Sequence, residues 1–564
     1  MNAHLVLEEK PIRQDQKLKT LTKYVQQYPS GWKKRLELAR LLCTMGRWEQ
    51  AVEEYCQVLK RQPQLPLIEV RLELGKTLQL MAREAQAIEV YESALPLCRN
   101  LATRHHLGGL IEVCRHCPQQ AASMFSLAAS IEPDNTAHWL ALGQVYLDTE
   151  SPLEALDVFN RALEVHPDDF LLLRNSYQAL MAVGNFQEAR RRLSRALELA
   201  PDDFLTLKQL ADSRCRQGLV RGEEGKQTRQ MIRVALRLAP DSADAHESLA
   251  YYYLFRGEWK KTIALWRKFI EEHPNSPSGW YYYGQCLFHT GEYQGAAEAI
   301  LKAYGLHQNN CEIYRALCEI LPAAGITASV ELLPQPISYK EGGKGVSEKK
   351  SGGRSKQTRR RGDAETRRIE IPTKISLTRG KVTFTSILEE MLELFPERWS
   401  VWATVGRVLV ESFQDIERGC SLSAKGTQLQ PQLADAWFRH GRVLALVGRH
   451  REAVEALKQG WQLLPLEGAY LQSVPPAVWL GESYRVIGDD ASSRRWYQEA
   501  CERAKKLMAF NPATAYYWQG RALLELGDKA GAIEAYESAL SQQLLYPARG
   551  EVEESLHHYL FSTN

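Results

Sequence analysis

The residues best placed to do chemistry are thiols and imidazoles in one short stretch. Cys114 and Cys117 stand three positions apart with His116 between them, and His105 and His106 lie just upstream. Two thiolates and two imidazoles are a common ligand set for tetrahedral zinc. No second cysteine pair matches the first, however, and incidental thiols in a degenerate structural unit are the alternative interpretation. The sequence therefore predicts no metal ion and no cofactor.

Other catalytic signatures give the same expectation. The sequence has no glycine-rich phosphate loop, no HExxH zinc motif and no GxSxG nucleophile motif. Paired carboxylates on a pocket-forming fold are not indicated either. The chain is therefore predicted not to be an enzyme, to have no catalytic residues and to have no small-molecule substrate.

A unit of 34 residues organises most of the chain. In its clearest copy, residues 136–169, two helical stripes of apolar residues follow each other and a proline ends the unit. The stripes contain Trp139, Leu142, Gly143 and Tyr146, then Ala155, Phe159 and Ala162, and the proline is Pro167. Only a small residue fits where two helices cross closely, and large apolar residues fill the space beside the contact. Each copy therefore predicts two packed amphipathic helices.

About 13 copies of this unit follow one another in nearly constant phase. Two of them depart from the pattern: Tyr177 stands where the clearest copy has Gly143, and the copy that ends at Pro240 is about five residues too long. The pattern W-x2-LG-x2-Y, then A-x3-F-x2-A and P, resembles the tetratricopeptide repeat family. The resemblance implies an all-α, right-handed superhelical solenoid of helix-turn-helix repeats, in which each repeat covers the apolar face of the next.

The array is interrupted once. Residues 311–321 have the pattern of a first helix, but the expected second helix, TSILEEMLELFP, lies about 54 residues late. We interpret this as one repeat split by a loop; the alternative is two arrays that are capped separately. The predicted parts are an N-terminal helical segment, an array of about eight repeats with the first helix of the split repeat, a disordered basic insertion, an array with the second helix and about four repeats, and a C-terminal capping helix with a tail. Their boundaries are 1–31, 32–322, 323–382, 383–546 and 547–564.

Charge is segregated along the chain. Residues 338–381 contain 14 Lys or Arg against 5 Asp or Glu, a local charge of +9 in a chain of net charge +3, so the remainder carries −6. Glycine, serine and like charge dominate this stretch, which predicts disorder. It is interpreted as a solvated loop without a function of its own. The alternatives are a contact with a polyanion and a nuclear-import signal. A nucleic-acid partner is not the favoured prediction.

The composition indicates the cellular compartment in which the chain is expected. The chain is 44% hydrophobic and 25% charged, as expected for a folded protein, and no apolar run approaches the 18 or so residues of a membrane span. The N-terminus has no long apolar core behind a basic start. Eleven cysteines with irregular spacing favour a reducing environment. We therefore expect a cytoplasmic protein without a membrane span.

The resemblance also implies where a partner would bind. In the family, the first helices line a concave groove, with positions 2, 5, 9, 12 and 13 of each repeat facing it. Carried over by register, these positions are aromatic before the insertion and basic with aromatics after it. The candidate partner-binding residues are Tyr251, Phe255, Tyr281, Phe288, Arg407, Phe438, Arg442, Arg485, Tyr517 and Arg521.

Arginine and tyrosine are frequent binding anchors, so the C-terminal part of the groove is predicted to hold an acidic or carboxylate-bearing peptide. Solvated helix faces and partly buried aromatics are the alternative interpretation of the same residues. The predicted function is a noncatalytic scaffold or adaptor that binds protein partners in the groove. One alternative is a regulatory or substrate-recruiting subunit of a separately encoded enzyme, and another is a nucleic-acid-associated protein that uses the basic insertion.

Overall fold

The computed structural model describes residues 16–62, 67–81, 83–307, 309–326, 329–330, 382–464 and 469–561. The disorder predicted for residues 338–381 falls outside these ranges, as do residues 1–15 of the predicted N-terminal helical segment.

Helices account for nearly all of the regular structure in the described ranges. The first part contains α1 (16–27), α2 (Trp32–Thr44), α3 (Trp48–Arg61), α4 (Ile68–Leu80), α5 (Glu84–Ala94), α6 (Leu101–Cys114), α7 (Pro118–Ile131), α8 (Thr136–Asp148), α9 (Pro152–Val165), α10 (Phe170–Ala182), α11 (Phe186–Leu199), α12 (Phe204–Arg216), α13 (Gly222–Leu238), α14 (Ala243–Phe255), α15 (Trp259–Glu272), α16 (Pro277–His289), α17 (Tyr293–Leu306) and α18 (Cys311–Ala323). The second part contains α19 (Phe384–Leu394), α20 (Trp399–Phe413), α21 (Ile416–Leu429), α22 (Ala434–Leu446), α23 (His450–Gln462), α24 (Tyr470–Ile487), α25 (Asp490–Leu507), α26 (Pro512–Glu525), α27 (Lys529–Ser541) and α28 (Ala548–Phe561). A short 3-10 helix covers Leu95–Leu97, and two short strands are β1 (Ser329–Val330) and β2 (Val382–Thr383).

The helices from α2 to α27 form thirteen antiparallel pairs, numbered here 1 (α2/α3) to 13 (α26/α27), with α18/α19 as pair 9. The predicted all-α solenoid of helix-turn-helix repeats is confirmed. We call the connection between the two helices of a pair its turn, and the connection to the next pair its loop. Among the described helices, none is long and apolar enough to cross a lipid bilayer.

Within a pair, a glycine on the first helix lies under an aromatic ring on the second. A Cβ atom added to Gly143 would stand 2.4 Å from ring atoms of Phe159. The same spacing of sixteen residues joins Gly75 to Tyr91, Gly481 to Tyr497 and Gly520 to Tyr536. The ring occupies the space that a side chain would need, which is why the small residue of the repeat pattern is glycine in these pairs.

Gly143→Val is expected to destabilise pair 4 by about 1–3 kcal/mol, because the new side chain overlaps the Phe159 ring. Thermal unfolding monitored by circular dichroism measures the loss. In a Phe159→Leu background, which removes the ring, the added cost of Gly143→Val should be smaller. Equal costs in the two backgrounds would contradict this account of the contact.

The longer sixth repeat is accommodated at its turn. Helix α13 has 17 residues where the second helices of neighbouring pairs have 14, and it begins after residues 217–221. Gly225 lies against the backbone of Val220, and a Cβ atom there would stand 2.4 Å from the Val220 carbonyl carbon. The extra residues therefore fold back on the start of the helix.

Pair 9 joins helices that are separated by the insertion. Side chains of α18 and α19, including Leu317, Leu321, Leu388 and Met391, share one core cluster. Strands β1 and β2 pair antiparallel, with Ser329 opposite Thr383 and Val330 opposite Val382. The two ends of the insertion therefore meet at the turn of pair 9.

Successive turns of the superhelix contact each other along a continuous line, which we call the seam. The turns of pairs 1–8 lie against loops about six pairs further along the chain, as when Glu150 in the turn of pair 4 accepts hydrogen bonds from the backbone N–H (3.0 Å) and hydroxyl (2.5 Å) of Ser400. Other seam contacts join Arg47 to Asp241, Gln472 to the Met181 carbonyl, Phe186 to Phe510, and Tyr546 to the His289 carbonyl. The seam closes the groove into a central channel.

Candidate functional site: the central channel

A large cavity along the channel has a volume of about 1110 Å³. The first helices of pairs 8 to 12 line it, together with Pro547 at the start of α28. This is larger than the 300–1,000 Å³ typical of small-molecule pockets. The cavity is therefore large enough for several residues of a peptide.

The structure places the candidate partner-binding residues in three groups. Phe288, Arg407, Phe438 and Arg442 line the large cavity. Tyr251 and Tyr281 line a smaller cleft of about 80 Å³, which shares His289 with it. Phe255, Arg485, Tyr517 and Arg521 line neither. Phe288, Phe438 and Tyr517 are nearly buried, so these rings offer a partner little surface.

Each of the four candidate arginines already contacts a carboxylate of this chain. Glu482 lies between two of them, 3.2 Å from Arg442 and 2.6 Å from Arg521. The other two contacts join Arg407 to Glu411 and Arg485 to Glu525. Because Glu482 belongs to pair 12 and its arginines to pairs 11 and 13, these contacts also tie neighbouring repeats together.

Arg439 is the channel residue that the family register missed, since it stands at position 6 of its repeat, next to Phe438. Its side chain is exposed and lines the large cavity, with the guanidinium 5.6 Å from the centre of the Trp399 ring. No carboxylate of the described residues lies within ion-pair distance of it. The channel walls surround the Arg439 side chain although they do not cover its surface, and the resulting desolvation lowers its pKa, as does the nearby Arg315. The cavity therefore presents a cation without an ionic partner in the described part of the chain.

Asp435 precedes Arg439 by one turn of α22 and lines the same cavity. Burial raises its pKa to about 6, and the positive charge of Arg439 only partly opposes that shift. The raised pKa means that Asp435 is a weaker counter-charge to Arg439 at mildly acidic pH.

The first part of α24, the first helix of the next pair, forms the neighbouring wall of the cavity. Pro475, Pro476 and Trp479 supply apolar surface there. Because proline has no N–H, the carbonyls of Leu471 and Gln472 lack the donors that a regular helix would give them. Both residues also line the cavity. This wall thus combines apolar surface with two residues whose carbonyls lack a helical donor.

The zinc candidates are not brought together. The Cys114 thiol accepts a hydrogen bond from the Gln79 side chain at 3.1 Å, and burial raises its pKa to about 11. His106 instead faces His138, with 3.0 Å between their Nδ1 atoms, and burial lowers its pKa to about 3. In the described residues, no three His, Cys, Asp or Glu side chains form a group that could hold a metal ion.

Three parts of the chain match a known family model. The family model of the tetratricopeptide repeat matches residues 118–170, 248–310 and 510–544. These ranges lie in pairs 3 to 5, pairs 7 and 8, and pair 13, with their adjoining loops. No curated protein matches the chain.

Solved structures also match parts of the chain. YrrB, described as a TPR protein with an unusual peptide-binding site, is 19% identical over 34% of this chain and 96% of its own, with a TM-score of 0.21. MamA is 21% identical over 30% of this chain and 92% of its own, with a TM-score of 0.21. A tetratricopeptide repeat protein from Parabacteroides merdae is 17% identical over 40% of this chain and 88% of its own, with a TM-score of 0.31.

The three family matches lie far apart in the chain, and each coincides with helix pairs of the same construction. Arrays of this kind generally serve as modules for protein interaction rather than for catalysis. The chain therefore contains tetratricopeptide repeats in these three ranges, within an array of thirteen helix pairs.

Proposed function

We propose that this chain is a noncatalytic scaffold that binds an extended segment of a partner protein in its central channel. The observation that carries the proposal is Arg439, an exposed cation inside a cavity of about 1110 Å³. Two prolines and a tryptophan of the neighbouring helix line the same cavity. A guanidinium can take a carboxylate through two parallel hydrogen bonds. The expected partner segment is therefore acidic at one position and apolar beside it.

The two walls assign different roles to the candidate residues. Arg439 binds the acidic side chain, while Pro475, Pro476 and Trp479 contact the apolar residues next to it. The free carbonyls of Leu471 and Gln472 accept hydrogen bonds from the segment's backbone N–H groups. Arg407 and Arg442 are engaged by Glu411 and Glu482, so they shape the cavity, and Tyr251 and Tyr281 extend the surface into the smaller cleft.

Charge reversal at Arg439 tests the proposal. Linear peptides of random sequence are displayed on phage and selected on the intact protein, and the enriched sequences are synthesised with a fluorophore. We expect enriched peptides with an acidic residue beside proline or a large apolar residue. Their affinity, measured by fluorescence anisotropy, should fall about tenfold or more in Arg439→Glu, as for a hot-spot residue.

Arg233→Glu is the matched control, because Arg233 is exposed on the second helix of pair 6, away from the cavity lining. This variant makes the same change of charge and should bind like the wild type. Failure to enrich any peptide, or equal affinity for Arg439→Glu and the wild type, would refute the proposal. We further propose a cytoplasmic location, because eleven irregularly spaced cysteines are atypical of secreted proteins.

A further inference from the structure

The seam stops partway along the array, and in the described part of the chain it leaves the turns of the last four pairs uncovered. A Cβ atom added to five glycines in the turns of pairs 1 and 5 to 8 would have another part of the chain within 4 Å; they are Gly46, Gly184, Gly218, Gly257 and Gly291. A Cβ atom added to three glycines in the turns of pairs 11 to 13 would have nothing within 4 Å among the described residues; they are Gly448, Gly488 and Gly527. We call the turns of pairs 10 to 13 the turn edge.

The turn edge carries exposed apolar side chains. Val486 is 61% exposed and Ile487 is 36% exposed at the turn of pair 12. Leu446 at the turn of pair 11 and Ile416 at the turn of pair 10 are also exposed. Exposed apolar side chains thus recur in three successive turns of this edge.

A complementary edge exists at the other end of the array. The loops after pairs 2 to 5, which we call the loop edge, are not reached by any turn of the described chain, because the seam begins with the loop after pair 6. The last residue of the second helix is apolar and exposed in pairs 3 to 5, at Ile131, Val165 and Leu199.

The same position is covered in pairs 6 and 8 to 10, where the seam is present, whereas pair 7 has the exposed Glu272 there. Its occupant in pair 6, Leu238, is only 3% exposed, and Leu306, Leu394 and Leu429 of pairs 8 to 10 are half-buried. The sequence thus keeps an apolar residue at this position on both sides of the boundary, although only one side is covered. The loop edge therefore has the composition of a surface that a further row of turns would cover.

We propose that the occupant of the loop edge is the turn edge of a second copy of this chain, so that copies stack end to end. Within the chain, turns already dock on loops along the seam, and the proposed contact continues that interface between molecules. The two edges differ, so the contact is heterologous and leaves one edge of each kind free at the ends of a stack. Such an interface gives open assemblies rather than closed dimers.

Variants that damage one edge each provide the test. Val486→Asp disrupts the turn edge, and Val165→Asp with Leu199→Asp disrupts the loop edge. All three side chains are exposed, so the substitutions leave the core unchanged, which circular dichroism checks. Sedimentation velocity of the full chain from about 1 to 100 µM, a range that spans moderate affinities, should show a wild-type series of oligomers that grows with concentration.

Mixing the variants gives the decisive result. Each variant alone should be a monomer, because stacking needs both edges. An equimolar mixture should give a dimer and nothing larger, since it contains one intact turn edge and one intact loop edge. Leu80→Asp is the matched control: Leu80 is 63% exposed but lies at the turn of pair 2, on neither edge, and this variant should assemble like the wild type.

Three outcomes would overturn the proposal. The first is a wild-type protein that stays monomeric over the whole range. The second is an assembly that the edge variants leave unchanged. The third is a dimer formed by either variant alone, which would indicate a symmetric interface elsewhere on the molecule. Peptide binding in the channel does not depend on these results, because no residue of either edge lines the large cavity.

Discussion

Lys208→Met is expected to lower the free energy of unfolding around pairs 6 and 7 by about 3–5 kcal/mol at neutral pH, because it leaves two carboxylates without their cation. The Lys208 ammonium lies 2.8 Å from Asp212 on the same helix and 2.6 Å from Glu247 on α14. All three side chains are at most 15% exposed. Water therefore does little to replace the lost charge.

The loss should depend on pH in a defined direction. Burial opposes the charge on Lys208, but attraction to Asp212 and Glu247 outweighs it and raises the lysine pKa. Its contribution is therefore fully present at neutral pH and is lost only as the pH rises through the raised value. Burial raises the pKa of Glu247, so as the pH falls this carboxylate becomes neutral in the folded chain at a higher pH than an ordinary glutamate does. The deficit of Lys208→Met should accordingly shrink toward acidic pH.

Hydrogen exchange of the α12 and α14 amides measures the local loss, which suits an array whose repeats do not unfold as one unit. Lys226→Met is the control, because Lys226 and its partner Glu223 are both more than 70% exposed and their contact should contribute little. Replacing Asp212 and Glu247 by leucine in the Lys208→Met background should restore most of the stability. Equal effects of Lys208→Met and Lys226→Met would show that the buried cation is dispensable.

The helix pairs were predictable from the sequence because the contacts that define them are local. Gly143 and Phe159 are sixteen residues apart, and their sizes are complementary wherever the unit is clear. The seam was not predictable in this way. It joins residues as distant as Glu150 and Ser400, and its position depends on small rotations between pairs that add up along the array. No periodic pattern in the sequence records that sum.

The positions of several channel residues were also predictable from the sequence, whereas their ionic contacts were not. The family register selected Phe288, Arg407, Phe438 and Arg442, all of which line the large cavity, because register alone decides which side of a first helix faces inward. It did not reveal that Glu482 neutralises Arg442 and Arg521. A signal was present, since Glu482 stands at the register position that these arginines hold in the neighbouring pairs, so the charge alternates along the stripe. Arg439 was missed because position 6 was not among the positions carried over.

Trp266→Ala is expected to cost about 3–5 kcal/mol, because it removes the largest fully buried side chain of the described structure and leaves an apolar cavity. The Trp266 ring stacks on Tyr282 with 5.3 Å between ring centres, and its edge meets Phe269 at 5.6 Å. Tyr282 also donates a hydrogen bond to Asp244 at 2.9 Å, which holds this wall in place. We therefore expect the space to stay open rather than collapse.

Indole provides a direct check of that cavity. Trp266 lines the cleft of about 80 Å³ that opens toward the channel, so indole can reach the vacated space, and an apolar cavity of this type binds a ligand of matching shape. Binding to the folded state alone raises stability with ligand concentration, so indole should raise the melting temperature of Trp266→Ala and leave the wild type unchanged. Trp402→Ala, at a half-buried ring whose N–H donates to the Pro396 carbonyl, should lose less stability and gain none from indole. Equal losses in the two variants, or no rescue of Trp266→Ala by indole, would contradict an open cavity at this position.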